Sequence, residues 1–394
     1  MRSLRLEAGD KALSEYQYYE FQAIDRPLTE REMRELPSYS TRARITPTSF
    51  INDYSWGDFK GNTDAWMEKY FDAFLYFANW GTHELKLRLP SCLLDLETAQ
   101  IYCSGEQAFA RKKGGNVVIT FVSDDEGGDE EVDGENWLSS LISVRAELAR
   151  GDLRCLYIGW LQSVQTGEVD DEENEPPVPP GLGQLSASLE SLADFLRIDP
   201  SLLHVAALAS RPLGDVGQKK EEIGKWVAKL QTDEKDDVLV RLIAGEDLVP
   251  VTELRNRFFR ESKQKAERNE KQPRRRTVAE LLRAAEELAD EKRRIASEKA
   301  AKEKARREEE AAILRAKYLD KIAKRESELW GEVEKLISSK QPKSYDTAVK
   351  LLMDLRDLAS RKGKIDEFLA RLDAIRVAHE RKPSFIERLR KAGL

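Results

Sequence analysis

A long stretch of helix-forming residues with almost nothing to bury constrains the fold of this chain more than any other feature. Residues 278–336 are rich in Ala, Glu, Lys and Arg, which favour a helix. Between Ile295 and Ile313, however, no apolar residue is larger than alanine. A helix of about 55 residues is roughly 80 Å long at a rise of 1.5 Å per residue. Because its middle has no apolar face, we expect a solvated rod whose ends alone dock on packed modules.

The 394 residues therefore form several parts rather than one globule, and 35 % of them are charged. No run approaches the roughly 18 apolar residues that a membrane span needs. Cys92, Cys103 and Cys155 have no paired spacing, which argues against a disulfide framework and for a reducing compartment. We expect a cytoplasmic protein with no membrane partner.

The first part, residues 1–165, has the pattern of an α+β head domain. Alternating or β-branched runs predict strands at 16–25, 44–54, 84–89 and 116–121. Thr29 and Glu32 form a capping box that opens a short helix. Apolar residues at helical spacing predict further helices over 64–80, 137–149 and 152–162. These elements predict one sheet packed under helices.

The rest of the chain is predicted to be mainly helical. An acidic, proline-rich stretch at 166–184 predicts a linker, which is followed by a small helical bundle at 185–254. A basic hinge at 255–277 then leads into the long charged helix at 278–340. Residues 341–394 carry two apolar stripes separated by Gly363, which predicts a C-terminal helical hairpin. The predicted fold class is an α+β N-terminal domain followed by a mainly α region.

The net charge of −7 is the sum of an acidic N-terminal part and a basic C-terminal part. Residues 1–250 carry 26 basic and 45 acidic side chains, whereas residues 251–394 carry 39 and 27. Cations that neutralise phosphates release counterions, so the most basic segment predicts DNA or RNA binding without sequence readout. Its ten cations are Arg255, Arg257, Arg260, Lys263, Lys265, Arg268, Lys271, Arg274, Arg275 and Arg276. The alternative is a solvated hinge, or a partner for the chain's own acidic segments at 124–135 and 168–175.

No motif in the sequence names a reaction. Gly181 and Gly183 follow prolines rather than a strand, which is not the context of a nucleotide-binding loop. His83, His204 and His379 lie far apart, and the cysteines lack the spacing of metal ligands. We expect His83 in a surface or capping position at a turn, and His204 as an ordinary helix residue. The sequence predicts no catalytic residue, no metal and no cofactor.

Two stretches resemble bacterial proteins. The first is Tyr-Asp-Thr-Ala-Val-Lys-Leu-Leu-Met-Asp-Leu-Arg-Asp-Leu-Ala at 345–359, followed by Phe368, Arg371, Leu372, His379, 381–384 and 392–394. It resembles the tail of bacterial proteins that carry a SWIM-type zinc finger. The Cys-x-Cys and Cys-x-His ligands of that finger are absent, so its metal does not carry over. Residues 18–28 resemble the start of uncharacterised bacterial proteins. The resemblance implies a bacterial chain and supplies no activity.

Trp56 and Phe59 lie in a segment framed by Gly57 and Gly61, where exposed aromatic residues often contact a partner. They are candidate partner-binding residues, although aromatic residues at such spacing also form cores. The parts together predict a non-catalytic scaffold or adaptor that assembles partner proteins through its head domain and its helical C-terminal region. The alternatives are a nucleic-acid-associated protein and an enzyme with an unrecognised site in the head. The long helix lacks a sustained heptad pattern, which argues against a long coiled coil.

Overall fold

A computed structural model describes residues 15–36, 42–55, 57, 59–103, 105–125, 134–213, 216–244, 250–251, 253–254, 257–258, 261 and 275–394. The chain divides into two compact units, Met1–Glu291 (unit 1) and Lys292–Leu394 (unit 2). An antiparallel sheet lies in unit 1, and the described part of unit 2 is helical. The predicted fold class, α+β followed by mainly α, is confirmed.

Unit 1 is built on an antiparallel sheet with the strand order β2-β3-β1-β4-β5-β7-β6. The strands are β1 (Gln17–Gln22), β2 (Arg44–Thr46), β3 (Ser49–Tyr54), β4 (Ala73–Ala78), β5 (Thr82–Pro90), β6 (Ala108–Lys113) and β7 (Asn116–Asp124). The predicted strands at 16–25, 84–89 and 116–121 are confirmed as β1, β5 and β7. The segment predicted at 44–54 is a hairpin of β2 and β3.

The two faces of the sheet are buried by different partners. The helices before the long one whose bounds the structure describes are α1 (Glu30–Glu35), α2 (Thr63–Lys69), α3 (Leu96–Gln100), α4 (Trp137–Ala149), α5 (Arg154–Gln165), α6 (Ala187–Phe195), α7 (Pro200–Leu208), α8 (Val216–Lys229) and α9 (Thr232–Ile243). On one face, Leu85 and Phe121 join the core formed with α4 to α7. On the other, Phe21, Phe50 and Trp66 form an aromatic cluster over β1, β3 and β4.

The predicted helix over 64–80 is wrong in its second half, where the chain forms strand β4. A continuous apolar run is compatible with a buried helix or with a central strand that is covered on both faces, so spacing alone does not separate them. Tyr70, Phe71 and Asp72 separate α2 from β4, and Asp72 is 1 % exposed and pairs with Arg88. Strand β6 was not predicted. It is joined to β7 through Gly114 and Gly115, and Gly114 has a φ of +58°, which glycine adopts without strain.

The predicted linker at 166–184 differs from the structure, because these residues pack on the head. Leu182 is buried in the core that covers the sheet, and Val178 packs against it. Leu189 of α6 and Leu202 of α7 belong to the same core. The first helices of the predicted 185–254 bundle are therefore part of the head. Composition misleads here because much of the segment is held by hydrogen bonds to its backbone, such as the 2.7 Å bond from the Tyr102 hydroxyl to the Pro177 carbonyl.

The long helix α10 (Val278–Ala323) begins at a capping box of Thr277 and Glu280. Residues 292–312 are exposed apart from Glu303, which agrees with the predicted solvated middle. The predicted continuation to about residue 336 is wrong, because the helix ends at Ala323 and α11 (Glu326–Ser338) follows a break. Leu329 and Trp330, beyond the break, are buried in the core of unit 2.

The C-terminal hairpin of unit 2 is confirmed and has one more helix than predicted. Helices α12 (Pro342–Arg361) and α13 (Ile365–Ala378) are joined through Gly363, whose φ is +67°. Such a left-handed glycine ends helices without a steric cost. Helix α14 (Pro383–Lys391) then buries Phe385 and Leu389 in the same core as Phe368 of α13.

Candidate partner-binding surfaces

The acidic segment 170–175 forms side-chain and backbone hydrogen bonds with residues 276–279 at the start of α10. The Glu175 carboxylate, 3 % exposed, accepts a short hydrogen bond from the Tyr157 hydroxyl. It also accepts bonds of 2.9 and 2.8 Å from the Arg276 guanidinium. The Glu175 N–H donates to the Arg276 carbonyl at 2.8 Å, and the Val278 N–H donates to the Glu173 carbonyl at 2.9 Å. We call Tyr157, Glu175 and Arg276 the clasp.

Burial sets the chemistry of the clasp. Removal from water, together with the neighbouring Glu175 carboxylate, raises the pKa of Tyr157 well above its ordinary value, so its hydroxyl remains a donor. Arg276 uses its remaining nitrogen to donate to the Val205 carbonyl at 3.0 Å. The contacts of this arginine are thus all structural, and it fixes the start of α10 to the head core.

This pairing bears on the predicted nucleic-acid segment. Two of its ten cations, Arg257 and Arg276, are paired with the chain's own carboxylates, since Arg257 contacts Glu234 and Glu261. Arg275 is also described. The predicted ligands Arg255, Arg260, Lys263, Lys265, Arg268, Lys271 and Arg274 lie outside the described residues. For Arg276, the structure agrees with the alternative of binding the acidic segment 168–175. The partners of Arg257 lie outside both of the acidic segments named in that alternative.

The predicted aromatic pair does not form an exposed contact in the described part of its loop. Trp56 lies outside the described residues. Phe59 packs on the aromatic cluster, with its ring centre 5.1 Å from that of Tyr19 and 4.9 Å from that of Trp66. For Phe59, these contacts favour the core interpretation over a partner-binding one.

His83 is buried, so the prediction of a surface position is wrong. Its ring stacks between Phe77 and Phe195, with centre distances of 4.6 and 4.9 Å. Its Nδ1 lies 2.9 Å from the Phe195 carbonyl and its Nε2 lies 2.9 Å from the Arg197 guanidinium. The sequence contained the signal, because His83 alternates with Leu85 on the inward face of β5. His204 is exposed on α7.

Four charged residues form a second structural network where β1, β4, β5 and α4 meet. Arg88 donates to Asp72, and Arg145 donates to Asp25 at 2.7 Å. Burial alone would raise the pKa of Asp72, but backbone N–H bonds from Asp25 and Ile24, together with Arg88, outweigh it and lower this pKa. Burial raises the pKa of Asp25. The network holds four elements together.

A cleft of 690 Å³ opens between the α4–α5 turn and the proline segment, and we call it the head cleft. Its lining residues are Tyr102, Glu147, Arg150, Gly151, Asp152, Leu153, Arg154, Pro177, Val178, Pro179, Pro180, Ser186 and Leu213. This volume lies within the range of about 300–1,000 Å³ that is typical of binding pockets. The three prolines of this wall have no N–H to donate.

The polar groups of the head cleft differ in their pairing. Arg154 is committed, because it binds Asp152 at 2.7 Å and the Gly181 carbonyl at 3.0 Å. Glu147 accepts from the Ser186 and Ser188 hydroxyls. Arg150 is exposed and pairs with no described residue. The head cleft therefore offers an apolar wall with one guanidinium available at its rim.

Helix α9 has an exposed stripe that is acidic toward its N-terminus and apolar toward its C-terminus, and we call it the α9 face. Its residues are Asp233, Asp236, Asp237, Leu239, Val240 and Ile243. The three aspartates pair with no described residue, and Ile243 is 87 % exposed. Steps of three and four residues place the six side chains along one side of the helix. The sequence predicted a helical bundle over 185–254 but could not show that the apolar residues of α9 remain in solvent.

No protein family, curated protein or solved structure matches this chain. Among the helices that the structure describes, none combines the length and apolar content of a membrane crossing. Within the described ranges, no three His, Cys, Asp or Glu side chains are grouped so that they could hold a metal ion.

Proposed function

We propose that this chain is a non-catalytic scaffold or adaptor that binds partner proteins through its head domain and its helical C-terminal region. The observation that carries the proposal is the head cleft. It has the volume of a binding site, an apolar wall and a guanidinium at its rim. These are the features with which a protein surface holds a peptide segment that has an apolar side chain and a carboxylate.

The walls of the head cleft are held rigidly enough to be preformed. The Tyr102 hydroxyl fixes Pro177, and the Ser210 hydroxyl donates to the Pro179 carbonyl at 2.7 Å. Gly181 has a φ of +86° and lies so close to Leu213 that a Cβ there would clash. A preformed wall lowers the entropy cost of binding a peptide segment.

The second surface of the proposed adaptor lies on α13 in unit 2. Leu369 and Val377 lie two turns apart on one side of this helix, and Val377 is 76 % exposed. Their neighbours Asp373 and Arg376 pair with each other at 2.9 Å. An apolar side of an exposed helix is a common contact in helix-mediated recognition. Each unit thus has a surface of its own for a partner.

The test is a comparison of the proteins captured from an extract by the immobilised intact chain and by variants. Arg150→Glu with Leu213→Glu alters the head cleft, and Leu369→Glu with Val377→Glu alters α13. We expect each variant to lose a different set of captured proteins, because each changes a different surface. Quantitative mass spectrometry of the captured proteins measures this loss.

The matched controls place the same changes elsewhere in each unit. Arg283→Glu alters an exposed arginine of unit 1 that pairs with no described residue, and Ile295→Glu alters an exposed aliphatic residue of unit 2. Both should capture the same proteins as the intact chain. Equal capture by all variants would refute the adaptor proposal. Loss of capture after nuclease treatment of the extract would favour the nucleic-acid alternative instead.

A further inference from the structure

The C-terminal part of α10, in unit 2, carries an exposed stripe that mirrors the α9 face. Its residues are Ile313, Leu314, Lys317 and Lys321 of the helix and Lys324, which directly follows the last helical residue, and we call them the α10 stripe. Leu314 is 66 % exposed, and the three lysines pair with no described residue. The opposite side of the helix contributes Leu319 and Ile322 to the core of unit 2. The stripe therefore faces away from the core of its own unit.

The order of charge and apolar residues is complementary in the two elements. From N- to C-terminus, the α9 face has three aspartates and then three aliphatic residues. The α10 stripe has two aliphatic residues and then three lysines. In an antiparallel pair, carboxylates meet ammonium groups and aliphatic side chains meet aliphatic side chains. A parallel pair would place the aspartates against the aliphatic residues.

The spacing along the two helices also matches. In α9 the centres of the acidic and apolar halves are about five residues apart, which is about 8 Å at the helical rise. In the α10 stripe the apolar and basic centres are about seven residues apart, or roughly 10 Å. The two spacings differ by about 2–3 Å, which the flexible lysine side chains can span. Both halves can therefore be in register at the same time.

We propose that the α9 face of one copy of this chain binds the α10 stripe of a second copy, with the helices antiparallel. Each copy carries both the α9 face and the α10 stripe, so every molecule can contribute either surface to the contact. The proposed adaptor function uses the head cleft and α13. Self-association uses neither, so it stands or falls separately.

The chemistry of the contact sets its strength. Exposed ion pairs each contribute little and weaken as salt screens them. The apolar halves add a contribution that salt does not screen. We expect weak association, with a dissociation constant on the order of 10–100 µM. It should weaken with rising salt without vanishing.

Sedimentation velocity of the purified full chain tests the proposal, from about 1 to 300 µM protein and at about 50 and 300 mM salt. The mean sedimentation coefficient should rise with protein concentration, and less steeply at the higher salt. Asp236→Lys with Asp237→Lys, and separately Lys317→Glu with Lys321→Glu, should each abolish this rise, because like charges then face each other.

An equimolar mixture of the two charge-reversed variants should restore association, since each altered surface again meets its opposite charge. The matched control is Glu190→Lys with Asp194→Lys, which reverses two exposed carboxylates of α6 that pair with no described residue. It should associate like the intact chain. Circular dichroism should show the same helix content in every variant, because all the substituted side chains are exposed.

Three results would overturn the proposal: a sedimentation coefficient that does not change with concentration, a mixture that fails to associate, or equal loss in the control variant. The charge reversal on the α10 stripe tests the same contact as the charge reversal on the α9 face. If one of the two variants fails to fold, the other still tests the contact. Capture of partners by a chain that stays monomeric would leave the adaptor function standing and remove self-association alone.

Discussion

Two acidic segments of unit 1 have similar composition and opposite surroundings. The segment 170–175 contains Glu175, whose carboxylate is buried between Tyr157 and Arg276. In the acidic half of α9, Asp233, Asp236 and Asp237 are exposed and pair with no described residue. Carboxylates with committed partners explain how the head holds α10. Carboxylates without partners, beside exposed aliphatic residues, are available to another molecule.

The difference has a backbone origin. The segment at 170–175 turns between Asp170 and Glu173 and then forms one antiparallel bridge at Asn174, and its N–H and carbonyl groups pair with residues 276–279. This pairing brings Glu175 to Arg276 and leaves the side chains of neighbouring acidic residues exposed. In α9 the helix satisfies its own backbone groups, so only side chains can make outside contacts. The same residue type therefore serves stability in one segment and offers recognition in the other.

The largest expected effect comes from breaking the clasp. Glu175→Ala leaves Arg276 and the Tyr157 hydroxyl without their acceptor in a largely buried place. We expect a loss of about 2–4 kcal/mol in the free energy of unfolding of unit 1, since removing one partner of a buried pair is strongly destabilising. Hydrogen exchange at the amides of β4 and β5, measured over a series of urea concentrations, reports this loss of stability.

The control for the clasp is Glu172→Ala, a change in the same acidic segment at an exposed side chain. Its effect should stay within about 0.5 kcal/mol. If the two variants lost equal stability, the acidic segment would act through its general charge and not through the clasp.

A smaller effect should appear on acidification, through the network of Asp72. A carboxylate whose folded pKa lies below its unfolded pKa stabilises the fold above the unfolded value, and this contribution is lost as the pH falls through the folded pKa. The lowered pKa of Asp72 places its loss of stability on the acid side of about pH 4. Asp25, whose pKa is raised by burial, acts in the opposite direction.

Asp72→Asn removes this titration. We expect the variant to be less stable than the intact chain at pH 7, because Arg88 loses its charged partner. Its stability should then decrease less than that of the intact chain between pH 6 and 3. Chemical denaturation at a series of pH values measures both slopes. Parallel pH profiles for the two proteins would contradict the assignment.

Local patterns predicted much of the fold. Alternation identified β1 and β5, a β-branched run identified β7, the Thr29–Glu32 capping box marked α1, and Gly363 marked the turn of the hairpin. The error at 73–78 arose because a strand buried on both faces has no alternation to detect. The correct predictions and the wrong one all rest on patterns within a few neighbouring residues.

Long-range pairing could not be predicted. Glu175 and Arg276 are 101 residues apart, and neither an acidic linker nor a basic hinge indicates that the two will meet. The same limit applies to the α9 face. The sequence predicted a helical bundle over 185–254, but whether Leu239 and Ile243 are covered depends on where other segments lie. The candidate surfaces thus became visible only once the pairing of the segments was known.

The smallest expected effect is on the α9 face itself, and it completes the comparison with the clasp. Asp236→Asn with Asp237→Asn removes two charges that pair with no described residue, so the free energy of unfolding should change by no more than about 0.5 kcal/mol. Chemical denaturation measures this free energy of unfolding, and Glu175→Ala serves as the reference variant that is expected to lose stability. The same variant should weaken self-association, because two of the three carboxylates that face lysines are lost. A large loss of stability would instead show that these aspartates hold a structural partner, and the distinction between the two acidic segments would fail.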